Sequence, residues 1–344
     1  MGIKTVKGNF FEDYRVGQRL EHAVPRTVSG GERALYHALY PARHALYSSD
    51  EFARSCGLPT SPLEDLAVFH IIFGKTVPDV SLNAIANLGY AEGRFHQPVY
   101  SGDTLRSTSE VIGLKQNSNG KSGVVYVRTE GYNQRSELVL SYVRWVMVRK
   151  DDLDAAAPPT LIPEFATSVA AKDLVIPAGL NFNSYDSVQS GDPYRLGDYG
   201  VGEIIDHVDG VKIEEAEHMM ATRLWQNTAK VHFDATARPD GRRLIYGGHV
   251  ISIARALSFN GLANAQMIVA INGGAHANPC FSGDTVRAWS EVLDVAPGLA
   301  PGLGAIRLRL VATTGNAATG LRGSDNKYLP EVLLDFDYWA LMPE

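Results

Sequence analysis

Alternating runs and solid apolar runs divide this chain into strands and two helices. Ala305-Ile306-Arg307-Leu308-Arg309-Leu310-Val311 alternates apolar and polar side chains, the pattern of a strand with one face on a core. Gly123 to Arg128 and Leu138 to Val148 are rich in β-branched and aromatic residues and are flanked by Asn, Gly and Ser, as hairpin strands are. Leu63 to Lys75 and His249 to Phe259 differ: they are mostly apolar and of helical length. A helix apolar on nearly every side must be wrapped, and the neighbouring strand runs supply a sheet to wrap it. Short antiparallel strands folded over one buried helix, and then repeated, predict an α+β architecture.

The repetition is visible in the residues. Pro98-Val99-Tyr100-Ser101-Gly102-Asp103-Thr104-Leu105-Arg106 returns 181 positions later as Pro279-Cys280-Phe281-Ser282-Gly283-Asp284-Thr285-Val286-Arg287. Nine of the fourteen positions from 98 to 111 are identical, which at one fixed offset marks a tandem duplication. Asp13 to Gln18 resembles Asp198 to Glu203 at offset 185, and Glu137 to Trp145 parallels Glu331 to Trp339 at offset 194. The second copy therefore carries about thirteen extra residues, expected in Pro297 to Gly304 and Asn316 to Lys327. Two domains follow, 1–150 and 181–344, joined by a linker over 151–180. Its opening, Asp151 to Pro159, is acidic and rich in Ala and Pro, as exposed linkers are. A residue present in one copy is then a candidate for function. A shared one, such as the Ser-Gly-Asp-Thr turn, is a candidate for structure.

By that criterion one segment stands apart: Trp225-Gln226-Asn227-Thr228-Ala229-Lys230-Val231-His232-Phe233-Asp234, followed by Tyr246-Gly247-Gly248-His249. His232 lies five residues after an amide and two before a carboxylate. The Gly247-Gly248 pair opens the buried helix, and bare N–H groups at a helix N-terminus suit an oxyanion. Offset 185 places Tyr47 opposite His232, Ala42 opposite Asn227 and Pro62 opposite the glycine pair, so the first copy lacks the constellation. His232, Asn227, Asp234 and His249 are the candidate catalytic residues. Gly247 and Gly248 are candidates to hold a thioester oxygen, and Arg223, Lys230 and Arg255 to meet a carboxylate or phosphates. Asp234 has a plainer reading as a turn cap, and His249 as a first-turn residue bonded to backbone. No metal is expected: His232, Asp234 and His249 match no established ligand spacing.

Composition narrows the classes. The chain has 344 residues, 45% apolar and 20% charged, with a formal charge of −6 and no basic run to neutralise phosphates, so nucleic acid is not an expected partner. No apolar run approaches membrane-spanning length and the first fourteen residues lack a signal-peptide core, so a cytoplasmic protein away from membranes is expected. Cys56 and Cys280 occupy non-equivalent positions, which argues against a disulfide framework. A homo-oligomer, with a dimer as the simplest case, is expected.

The Asn227 to His232 spacing before the Gly-Gly helix start is similar to the MaoC-like, (R)-specific enoyl-CoA hydratase family. The string Val68 to Tyr90 and the segment Trp225 to Asp234 resemble most closely its mesaconyl-CoA hydratase (β-methylmalyl-CoA dehydratase) branch. The resemblance covers essentially the whole chain. It implies a tandem, or double, hot-dog fold, each sheet wrapped around a central helix, with the hydratase motif in the second half. It also implies a CoA thioester substrate and reversible hydration of mesaconyl-CoA without a cofactor. A monocarboxylic enoyl-CoA hydratase, a thioesterase and a non-catalytic acyl-CoA scaffold are the other readings. The family's acidic position is Asn227 here. A fixed carboxylate about 4 Å from a substrate carboxylate costs roughly 4 kcal/mol at an effective dielectric near ~20, and an amide avoids that repulsion. His232 then carries the acid–base work.

Overall fold

The computed structural model describes residues 4–315 and 320–344. The strands, in chain order, are β1 (Arg19–Thr27), β2 (Ala84–Phe95), β3 (Thr104–Gln116), β4 (Ser122–Tyr132), β5 (Leu138–Arg149), β6 (Ile204–Lys212), β7 (Ile268–His276), β8 (Thr285–Ala300), β9 (Leu303–Thr313) and β10 (Val332–Pro343). They form one sheet in the order β1-β3-β4-β5-β2-β7-β10-β9-β8-β6. The order of the second half is the order of the first, reversed. The two halves are thus not separate sheets: β2 pairs antiparallel with β7, with Tyr90 opposite Gly274.

Each half wraps a helix. All twelve residues of Asp65–Thr76 are buried, as are ten of the eleven in Gly247–Leu257. The two central helices meet polar to polar across the halves, where His70 Nε2 and Ser252 Oγ lie 2.8 Å apart and Tyr36 donates to the same hydroxyl at 3.2 Å.

The shared motif is structural. Gly102 and Gly283 adopt φ of +100° and +94°, which glycine tolerates, and Asp103 and Asp284 accept the Tyr100 and Phe281 N–H groups at 2.9 and 2.8 Å. Each turn is clamped to its own half by equivalent backbone bonds, Gly102 N–H to Val28 and Gly283 N–H to Ile213, both 2.9 Å. His22 and His207 are another shared pair, bonded to Ser109 and Ser290 at 2.7 and 2.8 Å.

The extra residues of the second half do not lie in Pro297 to Gly304. Arg106 pairs with Tyr132 and Arg287 with Thr313, so the offset is still 181 at the end of β9. The whole difference falls between β9 and β10, eighteen residues (314–331) against five (133–137) between β4 and β5. Part of that segment, 316–319, lies outside the described residues. Residues 151–160 are mostly exposed, but the chain then packs across the sheet. Leu161 bridges to Leu114, Phe165 stacks on Trp145 with centroids 5.6 Å apart, and Trp339 Nε1 donates to the Val169 carbonyl at 3.0 Å. Among the described residues no helix is long and apolar enough to cross a membrane. Both cysteines are buried and unpaired.

Candidate active site

A cavity of about 270 Å³ opens between the halves. The first half lines it with Phe73, Tyr90 and Arg144, the second with Asn227, His232, Tyr246, Gly247 and His276. Among the described residues no aspartate or glutamate is part of this wall.

The motif segment is folded onto the cavity by backbone bonds. After the helix Glu215–Leu224 the chain turns back, with Asn227 N–H donating to the Thr222 carbonyl at 2.9 Å. The Asn227 side chain is 2% exposed; its Oδ1 accepts the Ala229 N–H at 3.2 Å, and its amino group has no partner. An unpartnered buried donor on a cavity wall is a place for a bound polar atom.

His232 follows on the one-turn helix Lys230–Phe233. Its Nδ1–H donates to the Leu244 carbonyl at 2.8 Å, and the Leu244 N–H returns to the Val231 carbonyl at 2.9 Å. This pairing selects the tautomer with a bare Nε2, a lone pair available to the cavity. Burial lowers the pKa of His232 to about 4, partly offset by the Leu244 carbonyl, so the imidazole is neutral at pH 7.

Gly247 begins the central helix and lines the cavity. Among the described residues neither its N–H nor that of Gly248 has an acceptor. A Cβ on Gly247 would run into the ring of His276, and one on Gly248 into the rings of Tyr246 and His70, so close approach requires glycine at both. His276 ends β7, shares a hydrogen bond with the Tyr90 hydroxyl at 3.0 Å, and is pulled by burial to a pKa of about 4.

Other expected residues stand elsewhere. His249 is buried behind the wall, bonded to the Tyr40 hydroxyl at 3.0 Å, with its ring 5.7 Å from that of His218. Asp234 is exposed and caps the next turn, accepting Thr236 N–H and Oγ1–H at 2.9 and 2.7 Å. Arg223 and Lys230 are exposed and are not part of the wall. The expectation that Arg255 meets a substrate is corrected. It is 5% exposed and donates to Ser258 Oγ at 3.0 Å and to the carbonyls of Ala265 and Gln266, so its donors are consumed in holding the end of its own helix.

The pairing of Pro62 with the glycines is also corrected. Leu63 N–H donates to the Val99 carbonyl at 2.8 Å and Ile245 N–H to that of Cys280 at 2.9 Å, which sets offset 182 at the central helices. Asp65 and Leu66 therefore oppose Gly247 and Gly248. The one-turn helices Ala45–Ser48 and Lys230–Phe233 keep offset 185, so Tyr47 does oppose His232. Tyr47 donates its hydroxyl to Asp65, so these two side chains meet at the positions that His232 and Gly247 hold in the second half. Three wall residues escaped sequence reasoning: His276, Tyr90 and Arg144. Arg144 had a signal, since offset 194 sets it opposite Tyr338 and makes it a residue of one copy.

A family model described as mesaconyl-CoA hydratase matches residues 3–323. A mesaconyl-CoA hydratase from Cereibacter sphaeroides is 72% identical over 342 residues, covering 99% of this chain and 100% of the relative. A β-methylmalyl-CoA dehydratase from Chloroflexus aurantiacus is 56% identical over 351 residues, covering 100% of this chain and 99% of its own. The crystal structure of a MaoC domain protein from Chloroflexus aurantiacus superposes with a TM-score of 0.97 at 56% identity, covering 100% and 99% of the two chains. A Mycobacterium tuberculosis protein with a double hot-dog fold gives 0.75 at 24% identity, over 98% and 99%, a likeness of fold. With a family match over nearly its whole length and relatives 72% and 56% identical across it, the chain belongs to the mesaconyl-CoA hydratase family.

Proposed function

We propose that this chain adds water reversibly across the double bond of mesaconyl-CoA to give β-methylmalyl-CoA, with His232 as the acid–base group. The observation that carries it is the neutral His232, its Nδ1–H pinned and its Nε2 bare, in the same cavity wall as the unsatisfied N–H of Gly247. The thioester oxygen is held at Gly247, with Gly248 behind it at the same helix end. A water held by Nε2 and the Asn227 amide attacks the alkene carbon β to the thioester. The π electrons pass to the α carbon and the thioester oxygen as an enolate, which the helix N-terminus stabilises. His232 takes one proton of that water and returns it to the α carbon, so the hydroxyl and the proton both come from the one molecule. The exposed Arg223 and Lys230 are offered to the CoA phosphates, and Asp234 keeps the His232 segment in shape by capping its turn.

His232→Ala tests the assignment. Hydration followed by enoyl-thioester absorbance should fall by about two to four powers of ten while the protein stays folded. Near-normal turnover would remove His232 from the mechanism. Release of free thiol by the unaltered protein, with mesaconate and no hydroxyacyl-CoA as the acyl product, would make it a thioesterase instead.

A further inference from the structure

Arg144 on β5 is a buried charge without a counter-ion. It is 0% exposed, and no carboxylate among the described residues lies within 4.0 Å of it. Its Nη2 donates to Thr76 Oγ1 at 2.7 Å and Ser81 Oγ at 3.4 Å, while Nε and Nη1 have no partner. Arginine does not escape burial by losing its proton, so an unpaired guanidinium in a closed interior is strongly unfavourable unless something completes it.

The two halves show why this arginine is different from the other buried one. The guanidinium of Arg144 lies 4.2 Å above the Phe73 ring, and that of Arg255 lies 5.7 Å from the Tyr338 ring. Offset 182 sets Phe73 opposite Arg255, and offset 194 sets Arg144 opposite Tyr338. Each half thus holds a cation over an aromatic ring at the same place in its hot-dog, with the two partners exchanged between helix and strand. Arg255 spends its donors on its own half. Arg144 keeps donors free and lines the cavity that holds His232 and Gly247. The wall between them is aromatic: Phe73 and Tyr246 have centroids 5.7 Å apart, as do Tyr246 and His232.

We propose that Arg144, supplied by the half that lacks the histidine, binds the free carboxylate of the substrate and so selects a dicarboxylic monothioester. The proposal rests on reading the cavity as the enoyl-CoA site. It explains an acyl cavity with one permanent charge and no acid in its wall, and it gives the degenerate half a direct part in recognition. A carboxylate seated there completes the buried cation with charge-assisted hydrogen bonds.

The test uses the full chain with Arg144→Met and Arg144→Lys. Succinyl-CoA and butyryl-CoA, saturated thioesters of equal acyl length that differ in carboxylate and methyl, are titrated by calorimetry. The unaltered protein should prefer succinyl-CoA by about tenfold or more, the methionine variant should lose that preference and the lysine variant should keep part of it. The ratio of kcat/KM for mesaconyl-CoA over crotonyl-CoA should fall by about a hundredfold in Arg144→Met, with thermal stability equal to or above that of the unaltered protein. Absence of a preference in the unaltered protein, or its survival in Arg144→Met, overturns the proposal. So does an equal loss on both substrates accompanied by a lower Tm, which marks a structural arginine. If His232→Ala leaves hydration intact while Arg144→Met still abolishes the binding preference, the catalytic reading falls and the carboxylate subsite stands.

Discussion

Tyr47 donates its hydroxyl to Asp65, whose carboxyl also accepts the Ile268 N–H at 2.7 Å. These two residues stand where the second half has His232 and Gly247. In the first half a phenol and a carboxyl occupy these positions and are bonded to each other. Burial raises the Asp65 pKa to about 7, against which the Tyr47 bond and the Ile268 N–H act.

Removing that phenol should separate stability from chemistry. Tyr47→Phe should cost about 1–3 kcal/mol in urea unfolding, since a buried carboxyl loses a donor, while hydration stays within about twofold. A large loss of turnover at unchanged stability would place the first half's pseudo-site in the reaction. Asp65 also gives a pH signature. Its folded pKa is raised from 3.8 to about 7, so the folded state holds the proton more tightly. Its contribution is fully present below about pH 4 and is lost as the pH rises through 7. Asp65→Asn should flatten that slope.

The histidines slope the other way. The folded pKa of His232 is lowered from 6.5 to about 4, so its neutral form is favoured. Stability from this group is complete above pH 6.5 and is lost as the pH falls through 4, and His249 and His276, also near 4, add in the same direction. Activity should follow: kcat/KM should be flat from pH 8 to about 5, with the acid limb near 4, read alongside circular dichroism to exclude unfolding. A limb near 6.5 would mean that the imidazole is solvated and that its burial does not set its working pKa.

Gly247→Ala examines the helix start. Its backbone does not need a positive φ, but the added methyl meets His276, whose ring the Tyr90 hydroxyl holds at 3.0 Å. Turnover should fall by about a hundred- to a thousandfold, the usual worth of an oxyanion donor moved out of place, and Tm should fall too because the held ring must shift. Ordinary activity in this variant would locate the thioester oxygen elsewhere.

Asn227→Asp addresses the missing acid. A new carboxylate on the wall that faces the substrate's own should penalise mesaconyl-CoA more than crotonyl-CoA. The ratio of their kcat/KM values should shift by about ten- to a thousandfold, since roughly 4 kcal/mol of repulsion is available before solvent relaxes it. Equal effects on both substrates would place Asn227 away from the free carboxylate, and a gain on both would mean that an acidic role had been restored.

Much of this was legible in the chain before any coordinates. The fixed offsets revealed two copies, and the Ser-Gly-Asp-Thr turn, being shared, was recognisable as structure because its positive-φ glycine and its aspartate do the same local job twice. His232, Asn227 and the glycine pair were recognisable for the opposite reason, since their chemistry occurs once. Local signals of this kind depend on neighbours a few positions away and survive in sequence. What tertiary structure decided were relationships between distant segments. Pairing β2 with β7 joined two sheets into one and brought Tyr90 to His276, 186 positions along the chain. Arg255 and Arg144 look alike as residues, a basic group in an apolar run. Whether the donors are spent on a helix end or left facing a cavity depends on which carbonyls and hydroxyls packing brings within 3 Å, and no spacing in the sequence states that. The thirteen-residue insertion was countable from offsets, and its expected place at Asn316 to Lys327 does lie between β9 and β10, but only strand register excluded Pro297 to Gly304. The sequence thus determined the duplication and the half that keeps the histidine. The folded chain decided which side chains share the cavity, because that depends on long-range packing and on the hydrogen bonds it leaves unmade.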